Sequence, residues 1–189
     1  MTTPVTTTTT TYASPVGLLT LIASDAGLRA ILWNGDDPAR AGLGAASLHE
    51  TDDYSSVLDA TGSQLDAYFA GERTSFDLPL DLQGTPFQQD AWRALAEIPF
   101  GQTRSYAQQA ALLGRPRAFR AVGAANGRNP VSIVLPCHRV VGSDGSLTGF
   151  AGGVETKRWL LQHERAVAQR FGVVRSGSPV ALGGESAVP

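Results

Sequence analysis

Hydrophobic positions along this chain gather in short blocks punctuated by glycine, proline and aspartate, and the spacing inside each block predicts its element. Residues 17–23 and 28–33 are nearly continuous apolar runs. Between them Ser24-Asp25-Ala26-Gly27 supplies turn chemistry, which predicts a β-hairpin. Residues 34–53 are rich in Gly, Asp and Ala and read as loop. Over 57–70, Leu58, Leu65 and Phe69 recur at helical spacing, with Gly71 as a stop. Apolar and polar residues alternate over 76–82, predicting a third short strand. The threonine run at the start offers almost no apolar surface and reads as a flexible tail over residues 1–11.

A second block begins at Thr85-Pro86, an N-cap followed by proline at the first helical position. Phe87, Ala91 and Leu95, flanked by Trp92 and Ile98, make one apolar face that ends at Pro99-Phe100-Gly101. Ser105 and Gln108 have capping-box spacing ahead of a short helix closed by Gly114. After the turn at Arg115-Pro116, residues 117–126 read as another helix. Helix, short turn and helix on an arginine-rich background is a helix-turn-helix signal, although plain αα-hairpins share it. Residues 131–135 form a tightly packed or strand-like apolar run. A last helix covers about 155–171, and the segment 172–189 lacks periodicity and reads as a disordered tail.

Composition is that of a globular protein, with 42% hydrophobic and 17% charged residues, and no apolar run is long enough for a membrane helix. The net charge of −2 hides an asymmetry: residues 98–143 contain no Asp or Glu but include Arg104, Arg115, Arg117, Arg120, Arg128 and Arg139. Arginine without lysine favours forked contacts to phosphate, and the absence of acids points to a polyanionic partner rather than a merely solvated face. The second helix of the pair carries small apolar residues, from Ala121 through Gly123, Ala124 and Ala125. A major-groove reader would offer polar side chains there. A small face suits close approach in a narrow groove, with Arg120 beside it, or else a tight helix crossing.

Cys137 is the sole cysteine, which excludes an internal disulfide and any multi-cysteine metal site. With no signal-peptide pattern at the start, the lone thiol fits a reducing, cytoplasmic setting. A lone cysteine is often a small core hydrophobe. This one is followed directly by His138 and Arg139, cations that would favour a reactive thiolate. His138 reaches the thiol only if the backbone turns or a water bridges them. On the last helix Leu160, Val167 and Phe171 define an apolar stripe, and Glu164 falls on it. A buried carboxylate needs a partner, for which His138 and arginine are available; a surface glutamate at the stripe's edge is the plainer alternative.

Pro136-Cys137-His138-Arg139-Val140 resembles the active-site signature of the O6-alkylguanine-DNA alkyltransferases, the methylated-DNA–protein-cysteine methyltransferases. The resemblance runs from Thr85 to about Glu164. It includes Arg120 to Asn126, Asn129-Pro130, Gly149-Phe150-Ala151-Gly152-Gly153, and Lys157 to Leu161 with His163-Glu164. It implies an α+β fold in which a small ribonuclease-H-like three-stranded sheet domain, 12–84, precedes a mostly helical, winged-helix-like (helix-turn-helix) catalytic domain, 85–171. It also implies DNA repair by irreversible transfer of an alkyl group from guanine O6, and from thymine O4, to Cys137, once per molecule.

Roles follow residue by residue from the resemblance. Cys137 is the nucleophile, His138 its base through a water, Glu164 the holder of the imidazole, and Asn129 the brace of the turn. Tyr106 donates to the flipped base, and Val140, Phe150, Ala151 and Gly152 line that base's pocket. Arg120 fills the gap left in the stack, while Ala121, Gly123, Ala124, Ala125, Arg104 and Arg128 meet the minor groove of duplex DNA largely without sequence preference. No cofactor or metal is expected, and the protein is expected to be a monomer, with cooperative assembly on DNA left open. Phe150 stands where some members carry tyrosine, so a hydroxyl near the departing oxygen is missing. Two rival readings remain: a non-catalytic lesion-binding protein in which Cys137 merely packs, and a Cys–His–Glu hydrolase, against which the arginine-rich segment argues.

Overall fold

The computed structural model describes residues 7–44 and 55–171. A three-stranded antiparallel sheet, β1 (Thr7–Ser14), β2 (Gly17–Ser24) and β3 (Gly27–Trp33), opens the chain in the order β1-β2-β3. The hairpin at Ser24–Gly27 forms as expected, with Ser24 paired to Gly27. Gly27 is obligatory there. Its φ is +143°, and a Cβ would lie 2.4 Å from the Pro79 carbonyl oxygen.

Two expectations for this half need correction. Thr7–Thr11 do not belong to a tail; they form most of β1, pairing from Thr7 with Ser24 to Ser14 with Gly17. β-Branched threonine is a good strand former, and the hairpin partner provides the ladder that composition alone does not reveal. Conversely, 76–82 forms no strand. It makes a single parallel bridge, Leu28 with Leu80, where Leu28 N–H donates to Pro79 O at 2.8 Å and Asp81 N–H to Leu28 O at 2.9 Å. Pro79 has no N–H to extend the ladder. Of the 34–53 loop, the described part contains a 3-10 turn, Pro38–Ala41; positions 45–53 and the tail at 172–189 lie outside the described residues.

Helix α1 (Ser56–Phe69), capped by Ser55, packs on the sheet. The helical half then begins with α2 (Pro86–Arg93), whose Thr85 and Gln88 form a complete capping box, and a 3-10 turn, Ala94–Glu97. Strand β4 (Arg104–Ser105) leads into α3 (Tyr106–Leu112), again with a capping box, between Ser105 and Gln108. A turn at Arg115–Ala118 joins it to α4 (Phe119–Asn126). A 3-10 turn, Cys137–Arg139, runs into β5 (Val140–Val141), which pairs in parallel with β4, and α5 (Val154–Arg170) closes the fold.

One core runs through both halves: Leu19, Leu21 and Ile31 from the sheet, Leu65 and Tyr68 from α1, Trp92 from α2, Leu95 from the 3-10 turn after it, and Leu160 and Val167 from α5. The other face of the sheet is covered by a smaller cluster in which Ala41 and Leu43 lie on Ile22, Ala30 and Leu32. Residues 131–135 are all buried but are not a strand. Leu135 N–H bonds back to Val131 O at 3.0 Å, and Ile133 takes a left-handed φ of 77°. A β-branched residue in that region is strained, so surrounding packing must hold it. The turn points the chain directly into Cys137.

Candidate active site

The backbone does turn at Cys137. After Pro136, the 3-10 turn closes with Arg139 N–H donating to Pro136 O at 2.9 Å, and the side chains of Cys137, His138 and Arg139 leave it in different directions while all remaining buried. Asn129 braces the approach. Its Nδ2 donates to Leu135 O at 2.7 Å and its Oδ1 accepts from Val131 N–H at 3.1 Å. Arg40, held by Asp36, donates to the Asn129 carbonyl from the sheet half.

The Cys137 sulfur has Ser132 Oγ at 3.9 Å. Burial pushes this thiol up, opposed by Asn129 and Ser132 and by the charges of Lys157 and Arg40. The sequence-based expectation of a thiol lowered by His138 and Arg139 is therefore wrong. Both side chains are committed to Glu164, His138 is held below its ordinary value, and desolvation of a buried anion dominates at the sulfur. At neutral pH the sulfur is a thiol that requires a base.

Glu164 is fully buried, as its place on the stripe required, whereas Phe171 at the end of that stripe is 61% exposed and forms no part of it. The carboxylate accepts from His138 Nε2 at 2.7 Å, from Arg139 Nε at 2.9 Å and Nη2 at 3.0 Å, from the Tyr68 hydroxyl at 2.9 Å and from Gly101 N–H at 3.0 Å. Burial alone would raise its pKa, but His138 and Arg139 hold it well below the usual carboxylate range. His138 is lowered, chiefly by burial, with Glu164 opposing. Its imidazole is neutral near pH 7, protonated on the nitrogen facing Glu164. The other nitrogen, Nδ1, is buried without a partner among the described residues. Cys137 and His138 share no direct hydrogen bond among the described contacts.

Around this centre lie the residues expected to meet the base. Tyr106 opens α3, and its hydroxyl donates to Thr148 O at 3.3 Å. Phe150 stands edge-on to His138, ring centroids 6.4 Å apart, and to Trp33 at 5.3 Å. Ala151 is exposed and Gly152 half-buried against the Trp33 ring, where a Cβ would sit 2.6 Å away. The Val140 side chain is buried, and its carbonyl accepts from Lys157 Nζ at 2.6 Å. On the outer face, Arg120, Ala121, Ala124 and Arg128 are exposed, and Gly123 and Arg104 half-buried. Ala125 must be withdrawn from that face. It is 3% exposed and its carbonyl accepts from Trp92 Nε1 at 2.7 Å, so it packs inward.

Three contributors escaped the sequence reading: Lys157, Tyr68 and Arg40. Lys157 is fully buried, donates also to Thr148 O at 2.9 Å, and is brought down to about 8 by burial. It lies three residues before Leu160 on the stripe that exposed Glu164, so the same periodicity marks it. Tyr68 and Arg40 approach from distant sequence and leave no such mark.

Family models match both halves of the chain: "6-O-methylguanine DNA methyltransferase, ribonuclease-like domain" over residues 8–82 and "6-O-methylguanine DNA methyltransferase, DNA binding domain" over 86–166. A methylated-DNA–protein-cysteine methyltransferase of Mycobacterium tuberculosis is 48% identical over 160 residues, 84% of this chain and 92% of the relative. A protein of the same name from Methanosarcina barkeri is 57% identical over 101 residues, 53% of this chain and 64% of that one. Among solved structures, Mycobacterium tuberculosis OGT in complex with DNA superposes with a TM-score of 0.74 at 44% identity, covering 86% of this chain and 94% of that one. With both domains matched and the mycobacterial relative aligned over 92% of its length, the chain belongs to the 6-O-methylguanine DNA methyltransferase family.

Proposed function

We propose that this protein repairs alkylated DNA by direct reversal, taking the alkyl group of O6-alkylguanine, and of O4-alkylthymine, onto Cys137. The observation that carries the reading is the pairing of His138 Nε2 with Glu164 beside the sole cysteine, which leaves Nδ1 as a buried, unpartnered base. His138 takes the thiol proton through a water. The sulfur attacks the alkyl carbon as its bond to O6 breaks, and the proton passes to the departing guanine, so charge balances at the end. Glu164 stabilises the transient imidazolium. The thioether is not displaced by ordinary thiols, and the chain has no second cysteine, so each molecule acts once.

The target atom is inaccessible within a duplex, and extruding the base costs a few kcal/mol. Arg120 fills the space left behind. The exposed residues Ala121 and Ala124 with the half-buried Gly123 let α4 approach the minor groove closely, while Arg104 and Arg128 meet phosphates without sequence preference. Tyr106, Phe150, Ala151, Gly152 and the Val140 carbonyl surround the extruded base, and Lys157 fixes two carbonyls of that wall. The helical half from Thr85 to Phe171 carries the chemistry, in a cytoplasmic monomer without cofactor. The test is intact mass before and after exposure to duplex DNA containing O6-methylguanine. A gain of one methyl in place of hydrogen, mapped to the Cys137 peptide, is expected. Binding without mass gain would identify a lesion-binding protein instead, and ester or amide turnover without DNA would identify a hydrolase.

A further inference from the structure

Glu164 is held from both halves of the fold. Its Oε1 accepts from His138 Nε2 at 2.7 Å, from Arg139 Nη2 at 3.0 Å and from the Tyr68 hydroxyl at 2.9 Å, the last reaching across from α1. Arg139 Nε also reaches Oε1, at 3.2 Å; a carboxylate oxygen has two lone pairs, so these four donors compete for it. Tyr68 is completely buried, its ring set against Phe69, Phe76, Phe100 and His163. Its backbone carbonyl is fixed by a 2.9 Å hydrogen bond with His163 Nε2. The phenol therefore has one orientation. Burial and the Glu164 charge keep it protonated, so toward the carboxylate it is the donor.

We infer that Tyr68, supplied by the sheet domain, is a positioning residue for His138: its hydroxyl occupies the same Glu164 oxygen, fixes the carboxylate and limits its pull on the imidazole. The inference rests on the reading of His138 as the base. The charged groups acting on the imidazole are Glu164 and Lys157 from α5 and Arg139 from its own turn, with Tyr68 from α1 acting through Glu164; His163 faces the Tyr68 carbonyl and not its hydroxyl. Arg139 and Lys157 disfavour the imidazolium, and Glu164 favours it. Removing the phenol donor leaves the Glu164 charge less satisfied. Its attraction for the imidazolium then increases, and His138 becomes more basic.

Tyr68→Phe in the full chain keeps the ring packing and removes only this donor. The His138 titration, followed by carbon NMR at Cε1, should move upward by about half a pH unit, the scale of one hydrogen bond shared on a charged acceptor. The acid limb of single-turnover transfer should move with it, giving about a threefold slower rate below the midpoint. A midpoint that stays put or falls in a folded protein overturns the inference. A second variant covers the case in which Tyr68→Phe does not fold: 3-fluorotyrosine at position 68 strengthens the donor, and the midpoint should then fall, an unmoved midpoint again being fatal. A midpoint that moves without the rate limb refutes the base role of His138 and leaves the Tyr68 coupling standing.

Discussion

Replacing Glu164 by glutamine tests the centre of the site because the two side chains have nearly the same shape and opposite hydrogen-bonding capacity on one arm. The carboxylate accepts from His138, Tyr68, Gly101 and two nitrogens of Arg139, all donors. Glutamine offers one acceptor oxygen, and its NH2 must face either the Gly101 N–H and Arg139 Nε donors or the His138, Tyr68 and Arg139 Nη2 donors. A buried guanidinium also loses its counter-ion. Breaking a buried pair from one side costs about 3–5 kcal/mol, a large share of the roughly 5–15 kcal/mol that stabilises a domain. For a chain of this size about 2–4 °C is lost per kcal/mol, so thermal melting should fall by roughly 6–20 °C. The loss should depend on pH with a definite sign. Glu164 is depressed from its ordinary 4.5, so its contribution is complete above that value and disappears as acid protonates it. Wild type and variant melts should therefore converge in acid. Single-turnover transfer measured well below the variant's melting point should be slower, because an amide cannot stabilise the imidazolium by charge. Melts within 1 °C at pH 7 together with superimposable pH–rate curves would refute the reasoning for both stability and catalysis.

Cys137→Ser should abolish alkyl transfer and leave duplex affinity within about twofold, since oxygen is a far weaker nucleophile near neutral pH; loss of DNA binding measured by anisotropy would make the thiol structural. Arg120→Ala should slow repair in duplex far more than reaction with free O6-benzylguanine, because its proposed task is extrusion, and equal losses on both substrates would remove that task. Gly152→Ala places a methyl 2.6–2.8 Å from three atoms of the Trp33 ring; overpacking of this kind costs about 1–3 kcal/mol, and single-turnover assays should show slower transfer as the 149–153 loop shifts. Lys157→Met should slow transfer by removing the donor to Val140 and Thr148. It should also remove a pH effect: Lys157 is lowered from 10.5 to about 8 in the fold, so the unfolded chain binds more protons across that interval and wild-type stability rises with pH there, a rise that melts of the variant should lack.

Much of the helical half was legible because its signals are local. Thr85 with Gln88 and Ser105 with Gln108 form the capping boxes that their spacing announces, and Gly114 adopts positive φ where α3 stops, as Gly71 does after α1 in the sheet half. Glu164 was visible because a charge on an apolar stripe demands a partner. The misreadings came where pairing or desolvation decides. The threonine strand exists because β2 lies beside it, and 76–82 stays unpaired beyond one bridge because Pro79 interrupts its donors. Ala125 is as small as Ala124, and only the rotation of α4 against Trp92 turns one inward and leaves the other outside. The thiol was misjudged for a related reason. Sequence shows which cations are adjacent in the chain, whereas the pKa depends on which are adjacent in space and on how dry the site is.

That dryness bears on how a protein that acts once, as the proposed reaction requires, avoids spending itself. A thiolate exposed to solvent reacts with whatever electrophile or oxidant arrives, and susceptibility follows thiolate character and access. Here Cys137 is 7% exposed and raised by burial, and His138 is neutral, so the resting pair carries no charge. The charges of the site are instead locked between Glu164 and Arg139, one layer back, where they cannot react. Lys157 and Arg40 lie close enough to favour a thiolate once the proton leaves, without being strong enough to create one beforehand. Under the proposed reaction the proton departs only when an electrophilic carbon is held at the sulfur. In that reaction the alkylated base, which the proposed α4 contact would deliver, is the condition for reactivity, so that duplex binding and nucleophilicity are coupled.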